Sequence, residues 1–295
     1  MTTPYDSFDI DVPGGTLHAG RYGTGPNVVL AAHGITANHT SMKPLADALG
    51  DDFTVIAPDL RGRGRSANIT GPFGMRAHAD DVAAILDHLG LDDVLLLGHS
   101  MGGFVAVVTA HRHPSRVRRV ILVDGGLPLD LGPLNDRPGE EIVQAVIGPA
   151  LDRLRMTFPS LEAYLDFWRP HPALADDWNV YVEEHYAYDL VGEPPELRSG
   201  VREDAVLRDG TDQLKEPDVL DAVDGLTHPT TLVHVPRGLM NQVPPLYTDE
   251  AVTGWLAKLP TLRAVFVDDV NHYTIGLSER GAKALADVVR EEAAT

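Results

Sequence analysis

The stretch "DVLLLGHSMGGFVAVVTAHR", residues 93–112, decides the fold. It begins as a short apolar run, typical of a buried strand, and continues as a longer run with helical character. Ser100 falls at the junction between Gly98 and Gly102, whose small size lets the backbone turn sharply. Amides at a helix N-terminus stabilise a developing oxyanion, so we predict that Ser100 is a nucleophile. A chance G-x-S-x-G match is the alternative, and the flanking strand and helix patterns argue against it.

Further short apolar runs predict a sheet. They occupy residues 27–32, 53–57, 93–98, 119–124, 230–235 and 263–268. Uninterrupted runs of this kind suit strands that are buried on both faces. Helical patterns separate them, and a hairpin of "YDSFDIDV" and "TLHAGRYG" precedes them. We predict an α/β fold with a mostly parallel, doubly wound sheet.

The alternation of strands and helices stops at residues 127–226, where no convincing strand is found. Helical patterns lie instead near residues 139–157, 160–168, 176–189 and 201–209. We predict that this segment is a helical cap inserted after the sixth strand. Residues 1–126 and 227–295 are then expected to form one core domain.

The formal charge of the chain, −19 at pH 7, restricts its partners. It argues against nucleic acid and against a membrane surface, because both carry negative charge. The absence of cysteine excludes disulfides and thiolate sites. No apolar run is long enough for a membrane span, and no secretion signal is found, so we expect a cytoplasmic protein.

Motifs for a cofactor or a metal were not found. A P-loop, a strand-linked dinucleotide fingerprint and an HExxH helix are absent, and no histidine–carboxylate cluster has metal spacing. We therefore expect no cofactor and no metal, and we leave a homodimer open. The arginines of "RGRGRS", residues 61–66, predict a loop with local charge pairing and not a nucleic-acid patch.

Four motifs together resemble those of the α/β-hydrolase superfamily, and of its esterases and lactonases. They are "HG" at 33–34, "PDLRGRGRS" at 58–66, "GHSMGG" at 98–103 and "NHY" at 271–273. Their order and spacing match over nearly the whole chain. The resemblance implies a serine triad, an oxyanion hole formed by two backbone amides, and a helical cap over the pocket.

His272 is the predicted general base among 13 histidines. It follows the last apolar strand, so we expect it at the carboxyl edge of the sheet, where ligands bind in open α/β folds. It also occupies the base position of the family that the chain resembles. His88, His111 and His113 lie in helical patterns and are expected on solvated faces.

The triad acid is predicted at a less usual place. Where the resemblance implies an aspartate, the stretch "GLMN" has Asn241. A neutral amide can orient an imidazole but cannot stabilise the imidazolium by charge. Some members of the superfamily that the chain resembles place the acid at the end of the sixth strand, where this sequence has Asp124 in "ILVDGG". We therefore predict Asp124, which gives the order Ser100, Asp124, His272. The alternative is that Asp124 only caps a turn.

The remaining site assignments concern the oxyanion hole and the pocket. The resemblance assigns the backbone amides of Ile35 and Met101 to the oxyanion hole. Some aromatic residues of the predicted cap are expected to line an apolar pocket for a medium or large acyl or alkyl group, and half or more of them to pack the cap helices on the sheet. The substrate-binding candidates are Phe158, Phe167, Trp168, Trp178, Tyr181 and Tyr186. The many acids nearby make an anionic substrate less attractive.

We expect a serine hydrolase that cleaves a carboxylic ester or lactone of an apolar or aromatic small molecule through an acyl-enzyme. Two alternatives use the same triad, namely a carbon–carbon bond hydrolase and a cofactor-free perhydrolase. A third is a non-catalytic small-ligand receptor on the same fold. Epoxide hydrolase and haloalkane dehalogenase chemistry is disfavoured, because it needs an aspartate where Ser100 stands.

Overall fold

The computed structural model describes residues 3–295 and contains one large sheet with a small one beside it. The strands of the large sheet are β1 Tyr5–Val12, β2 Gly15–Tyr22, β3 Asn27–Ala32, β4 Phe53–Pro58, β5 Val94–His99, β6 Val117–Val123, β9 Thr230–His234 and β10 Leu262–Phe266. The small sheet pairs β7 Leu190–Val191 with β8 Arg198–Ser199 in antiparallel register. All eight strands of the large sheet were predicted from the sequence.

The large sheet has the order β1-β2-β4-β3-β5-β6-β9-β10. Strand β2 pairs antiparallel with β1 and β4, and every other neighbouring pair is parallel. The prediction of a mostly parallel sheet is therefore confirmed. Parallel strands end at the same edge, so the loops after β3, β5, β6 and β9 meet there.

Eleven α-helices accompany the sheet in the described range 3–295. They are α1 Lys43–Leu49, α2 Met75–Leu89, α3 Met101–Arg112, α4 Gly139–Leu154, α5 Leu161–Trp168, α6 Val180–Asp189, α7 Glu203–Lys215, α8 Pro217–Asp224, α9 Asp249–Lys258, α10 Thr274–Leu277 and α11 Glu279–Ala293. Within this range, none is both long enough and apolar enough to cross a lipid bilayer.

Strand β5 shows why its sequence is continuously apolar. Leu96 packs into the cluster formed with α2 and α3, whereas Leu95 and Leu97 pack into the opposite cluster with α1 and α11. Side chains alternate between the two faces of a strand, so two covered faces require apolar residues at every position. The central strands are therefore buried on both sides, as their composition predicts.

Residues 127–226, here called the inserted segment, contain α4 to α8 together with β7 and β8. The two short strands correct our expectation that this segment has none, since two residues are too few to show a period. Helix α4 is kinked at Ile147, two residues before Pro149, whose ring cannot continue a regular helix. The inserted segment packs on the rest of the chain through contacts that include Leu277 and Ile35.

Candidate active site

Ser100 lies at the apex of the turn between β5 and α3, with φ 54° and ψ −121°. A non-glycine residue with positive φ is strained and persists only where packing dictates it. A Cβ on Gly98 would lie 2.0 Å from the carbonyl oxygen of Gly102, and one on Gly102 would lie 2.1 Å from that of Ala32. The Ser100 amide donates to the Val123 carbonyl at 2.9 Å. The tight turn therefore needs both glycines, and Ser100 lines a cavity beside it.

Asp124 follows β6, is fully buried and has φ 44°. Its Oδ2 accepts a hydrogen bond from Nδ1 of His272 over 2.7 Å. Its Oδ1 has no hydrogen-bond partner within residues 3–295. A Cβ on Gly125 would lie 2.2 Å from the Ser100 carbonyl oxygen, so the Asp124 turn packs directly against the serine turn. The structure thus brings Asp124 and His272 together next to Ser100.

Hydrogen bonds at the backbone of His272 hold its loop in place. Its amide donates to the Arg237 carbonyl at 3.1 Å, and its carbonyl accepts from Nε2 of His99 at 2.9 Å. Burial, with the neighbouring His272, lowers the pKa of His99 to about 3, so that ring is neutral and donates through Nε2. Sequence reasoning missed His99, although it directly precedes Ser100.

The Ser100 hydroxyl and the His272 imidazole line the same cavity. No hydrogen bond joins them in the part of the chain that the structure describes. With Nδ1 bound to Asp124, the ring nitrogen left for the serine is Nε2. In free hydrolases this contact is often long and tightens in the substrate complex.

The two amides predicted for the oxyanion hole, those of Ile35 and Met101, belong to residues of the cavity wall. Met101 is the first residue of α3, so its amide has no acceptor within the helix. Ile35 lies in a turn after β3, and its amide has no acceptor among residues 3–295 either. Both donors therefore belong to residues of the cavity wall and are not engaged by acceptors among residues 3–295.

A buried arginine connects these two residues with the inserted segment. Nε of Arg63 donates to the Ile35 carbonyl at 2.9 Å, and its Nη2 lies 3.8 Å from Sδ of Met101. Its Nη1 bonds to Asp209 of α7, which also accepts from His78 at 2.9 Å. Burial opposes ionisation of Asp209, but His78 and Arg63 hold its pKa at about 2. We had expected local charge pairing in this loop, and the pairing of Arg63 with Asp209 is instead long-range.

Asn241, at the position where the family pattern has an acid, does not hydrogen-bond to the imidazole in the described chain. Its Oδ1 accepts from Nδ2 of Asn271 at 3.1 Å, and the same Nδ2 donates to the Ala173 carbonyl at 2.9 Å. Asn241 therefore helps to position the residue before His272. It makes no charged contact with the ring.

The cavity has a volume of about 140 Å³ and lies between the carboxyl edge of the sheet and the inserted segment. Much of its wall is aliphatic, which our sequence reasoning did not foresee. Helix α4 contributes Val143, Val146, Ile147 and Ala150. Their spacing of i, i+3, i+4 and i+7 is that of an apolar helical stripe, and this signal could have identified them.

Two of the six aromatic candidates, Trp168 and Tyr186, line the cavity. Their rings are stacked with centroids 4.0 Å apart. Both side chains are buried, and they also belong to the apolar cluster that joins α5 and α6. These two residues therefore combine a packing role with a place in the pocket wall.

The other four aromatic candidates do not line the cavity, which corrects our expectation. They are Phe158, Phe167, Trp178 and Tyr181. Phe158 packs edge-on against neighbouring rings of the inserted segment, and Phe167 is 38% exposed to solvent. The Trp178 indole and the Tyr181 hydroxyl donate to carboxylates of α6 and α1, which turns both away from the pocket.

One group of side chains in the described chain is close enough to be tested as a metal site. It comprises His18, His39 and Asp59, which the sequence spacing did not reveal. The Asp59 oxygens already accept from the His39 ring at 2.9 Å and from the Tyr188 hydroxyl at 2.6 Å. Burial opposes ionisation of Asp59, but its bonds with His39 hold its pKa well below the usual range. The cluster fits a structural hydrogen-bond network better than a cation site.

Curated proteins match part of the chain. A 2-(acetamidomethylene)succinate hydrolase of Mesorhizobium japonicum is 36% identical over 115 residues, 39% of this chain and 41% of that protein. The lipase LipV of Mycobacterium tuberculosis is 39% identical over 115 residues, 39% of this chain and 43% of that protein. The chain thus matches less than half of the length of these curated relatives.

Solved structures match the whole fold. The crystal structure of an E-2-(acetamidomethylene)succinate hydrolase has a TM-score of 0.79 at 24% identity, over 97% of this chain and all of that one. The family profile described as alpha/beta hydrolase fold matches residues 27–188, which is more than half of the chain. The chain belongs to the alpha/beta hydrolase fold family.

Proposed function

We propose that the protein is a serine hydrolase that cleaves a carboxylic ester or a lactone through an acyl-enzyme. The observation that carries this proposal is the buried hydrogen bond of 2.7 Å between Asp124 and His272, placed beside the strained turn of Ser100. Nucleophile, base and acid then lie in three different loops at one edge of the sheet. The strained backbone at Ser100 is energetically unfavourable, and an arrangement of this kind suits proton transfer from a hydroxyl group.

In the proposed reaction, Oγ of Ser100 attacks the ester carbonyl while Nε2 of His272 takes the hydroxyl proton. The Asp124 carboxylate keeps the ring in this tautomer and stabilises the imidazolium. The amides of Ile35 and Met101 donate to the oxyanion of the tetrahedral intermediate. His272 then protonates the departing alkoxide, and an activated water molecule cleaves the acyl-enzyme by the reverse sequence.

The inserted segment is proposed to act as the cap of this site. It supplies the aliphatic face of α4 and the stacked pair Trp168 and Tyr186 to the cavity wall. A cavity of about 140 Å³ has room for a group of the size of benzene. We therefore favour a small acyl or aryl group at this position over the medium or large group that we had expected.

Carbon–carbon bond hydrolysis and perhydrolysis remain alternatives, because both use the same three side chains. A non-catalytic receptor is the alternative of a different class. Catalysis is favoured over simple binding by the amides of Ile35 and Met101, since donors without a protein acceptor beside a nucleophile suit a charge that exists only during reaction.

Fluorophosphonate labelling together with turnover of p-nitrophenyl butyrate tests the proposal. The wild-type protein should be labelled once and should hydrolyse the ester, whereas Ser100→Ala should lose the label and about five to six orders of magnitude in kcat. Ser7→Ala, on the exposed face of β1, is the matched control and should keep both. A wild-type protein that is neither labelled nor active would favour the receptor.

A further inference from the structure

Arg153 of α4 is a buried cation in the wall of the cavity. We had expected an apolar pocket. The residue is 1% exposed. Its Nη1 donates to Oδ2 of Asp189 at 2.6 Å and to the Tyr164 hydroxyl, which in turn donates to Asp189. Neither Nε nor Nη2 has a hydrogen-bond partner in the part of the chain described by the structure. One edge of the guanidinium is thus paired and the other is unpaired.

Other hydrogen-bond donors lie in the same cavity wall as Arg153. The Trp168 ring lies 5.1 Å from the guanidinium carbon, and its buried Nε1 has no partner within residues 3–295. The hydroxyls of Tyr186 and Tyr273, also in the cavity wall, make no hydrogen bond there either. Burial raises the pKa of both tyrosines, so both are neutral donors. The cavity wall therefore includes several donors that bind no acceptor within residues 3–295.

Leaving buried donors without acceptors is unfavourable, and a guanidinium edge is the most costly of them. Asp189 cannot turn to satisfy both edges, because its Oδ1 accepts from Ser199 Oγ at 3.0 Å. The free Nε–Nη2 edge is a planar fork whose spacing matches the two oxygens of a carboxylate. A ligand group with that shape would satisfy the fork and take further donors from the tyrosines.

We propose that the substrate of this enzyme carries a carboxylate, which binds to the free edge of Arg153 while the ester carbonyl lies at Ser100. This inference deepens the proposed hydrolysis and rests on it for the reacting end of the substrate. It also revises the expectation, drawn from the acidic composition, that an anionic substrate is unattractive. In a buried site the paired contact outweighs distant surface charges, which solvent and salt screen.

The test uses matched phenyl esters that differ only at the far end of the acyl chain. The half-esters of succinate, glutarate and adipate carry a carboxylate, and phenyl butyrate, valerate and hexanoate carry a methyl group in its place. The best half-ester should exceed its neutral partner in kcat/KM by about tenfold or more. The gain should come mainly from a lower KM, because a charge-assisted hydrogen bond strengthens binding by this amount. A ratio near one for all three pairs would overturn the proposal.

Variants of Arg153 test whether this residue causes the preference for half-esters over neutral esters. Arg153→Met should bring the ratio close to one, and Arg153→Lys should retain part of it, because charge remains but the fork is lost. Since Arg153→Met leaves Asp189 unpaired, the double variant with Asp189→Asn is examined as well, with its fold checked by circular dichroism. Arg155→Met is the matched control on the same helix end, where the side chain is exposed and paired with Glu203. The control should keep the wild-type ratio, and an equal loss in the control would also count against the site.

A binding measurement separates this inference from the proposed function. Calorimetric titration of Ser100→Ala with the preferred half-ester should show binding that Arg153→Met weakens by about tenfold. Such binding without turnover in the wild type would refute hydrolysis and leave the carboxylate site standing. Turnover of the half-esters that does not depend on Arg153 would refute the carboxylate site and leave hydrolysis standing.

Discussion

Nδ1 of His272 donates a hydrogen bond to Oδ2 of Asp124 over 2.7 Å, although 148 positions separate the two residues. Asp124 is fully buried, and its second oxygen has no partner within residues 3–295. The Asp124 carboxylate therefore accepts a hydrogen bond only from the His272 imidazole within this range. A buried carboxylate with a single donor is poorly stabilised unless that donor becomes charged, which suits the partner of a general base.

Asp124→Asn should reduce kcat for p-nitrophenyl butyrate by about 10⁴-fold. The amide has the same shape, but it imposes the wrong imidazole tautomer and provides no charge for the imidazolium. Steady-state kinetics measure the loss, and circular dichroism should show an unchanged fold.

Asn241→Ala should cost less than about tenfold in kcat, because only one hydrogen bond of about 1 kcal/mol to Asn271 is removed. The same kinetic assay compares the two variants. If Asn241→Ala were the more damaging of the two, Asp124 could not be the triad acid.

Gly98→Ala should lower the free energy of unfolding by about 3 kcal/mol or more. The added methyl group would lie 2.0 Å from a backbone oxygen that cannot move without displacing Ser100. Urea denaturation measures the effect. In Gly254→Ala, within α9, the methyl group meets no atom within 4 Å, and stability should rise by up to about 1 kcal/mol. Equal stability of Gly98→Ala and wild type would show that the turn tolerates a side chain.

Asp209→Ala should destabilise the protein by about 3–5 kcal/mol, because it leaves the buried guanidinium of Arg63 without its counter-charge. The midpoint of urea unfolding reports this change. Asp204→Ala, on the exposed start of the same helix, removes a surface pair with Arg202 and should change stability by less than about 1 kcal/mol. Similar effects of the two substitutions would mean that Arg63 is not stabilised by Asp209.

Three buried histidines should make the protein sensitive to mild acid. Burial lowers the pKa of His33 and His99 to about 3 and that of His185 to about 4, from an ordinary value of 6.5. Below pH 6.5 the unfolded chain binds protons that the folded chain does not. The free energy of unfolding is therefore highest above pH 6.5 and falls as the pH decreases. Each histidine should contribute a slope of about 1 kcal/mol per pH unit.

Urea unfolding between pH 6.5 and 5 measures this slope, since few carboxylates titrate in that window. His185→Gln should remove about a third of the slope that these three rings contribute, whereas His88→Gln, at an exposed site, should leave the slope unchanged. A stability that is constant over this range would contradict neutral burial of the three rings.

Much of the fold follows from local sequence. The eight strands of the large sheet and the position of Ser100 were predictable because each depends on a few adjacent residues, namely an apolar run or two glycines around a turn. The two-residue strands β7 and β8 escaped prediction, since they show no period and form only through the pairing of 190–191 with 198–199. The roles of Ser100, Asp124 and His272 in catalysis stay predictions until the kinetics are measured.

The sequence by itself determined a mostly parallel α/β sheet and the turn of Ser100, because hydrophobic periodicity and turn geometry are local properties. The loops of the acid and the histidine followed from the resemblance to the α/β-hydrolase superfamily. Only the tertiary structure decided which charges are buried and what they face. Arg63 and Arg153 are indistinguishable in sequence from the exposed Arg155, yet one is neutralised by Asp209 and the other keeps a free edge in the cavity. Burial and pairing depend on residues more than 30 positions away, and the energy of a charge depends on both.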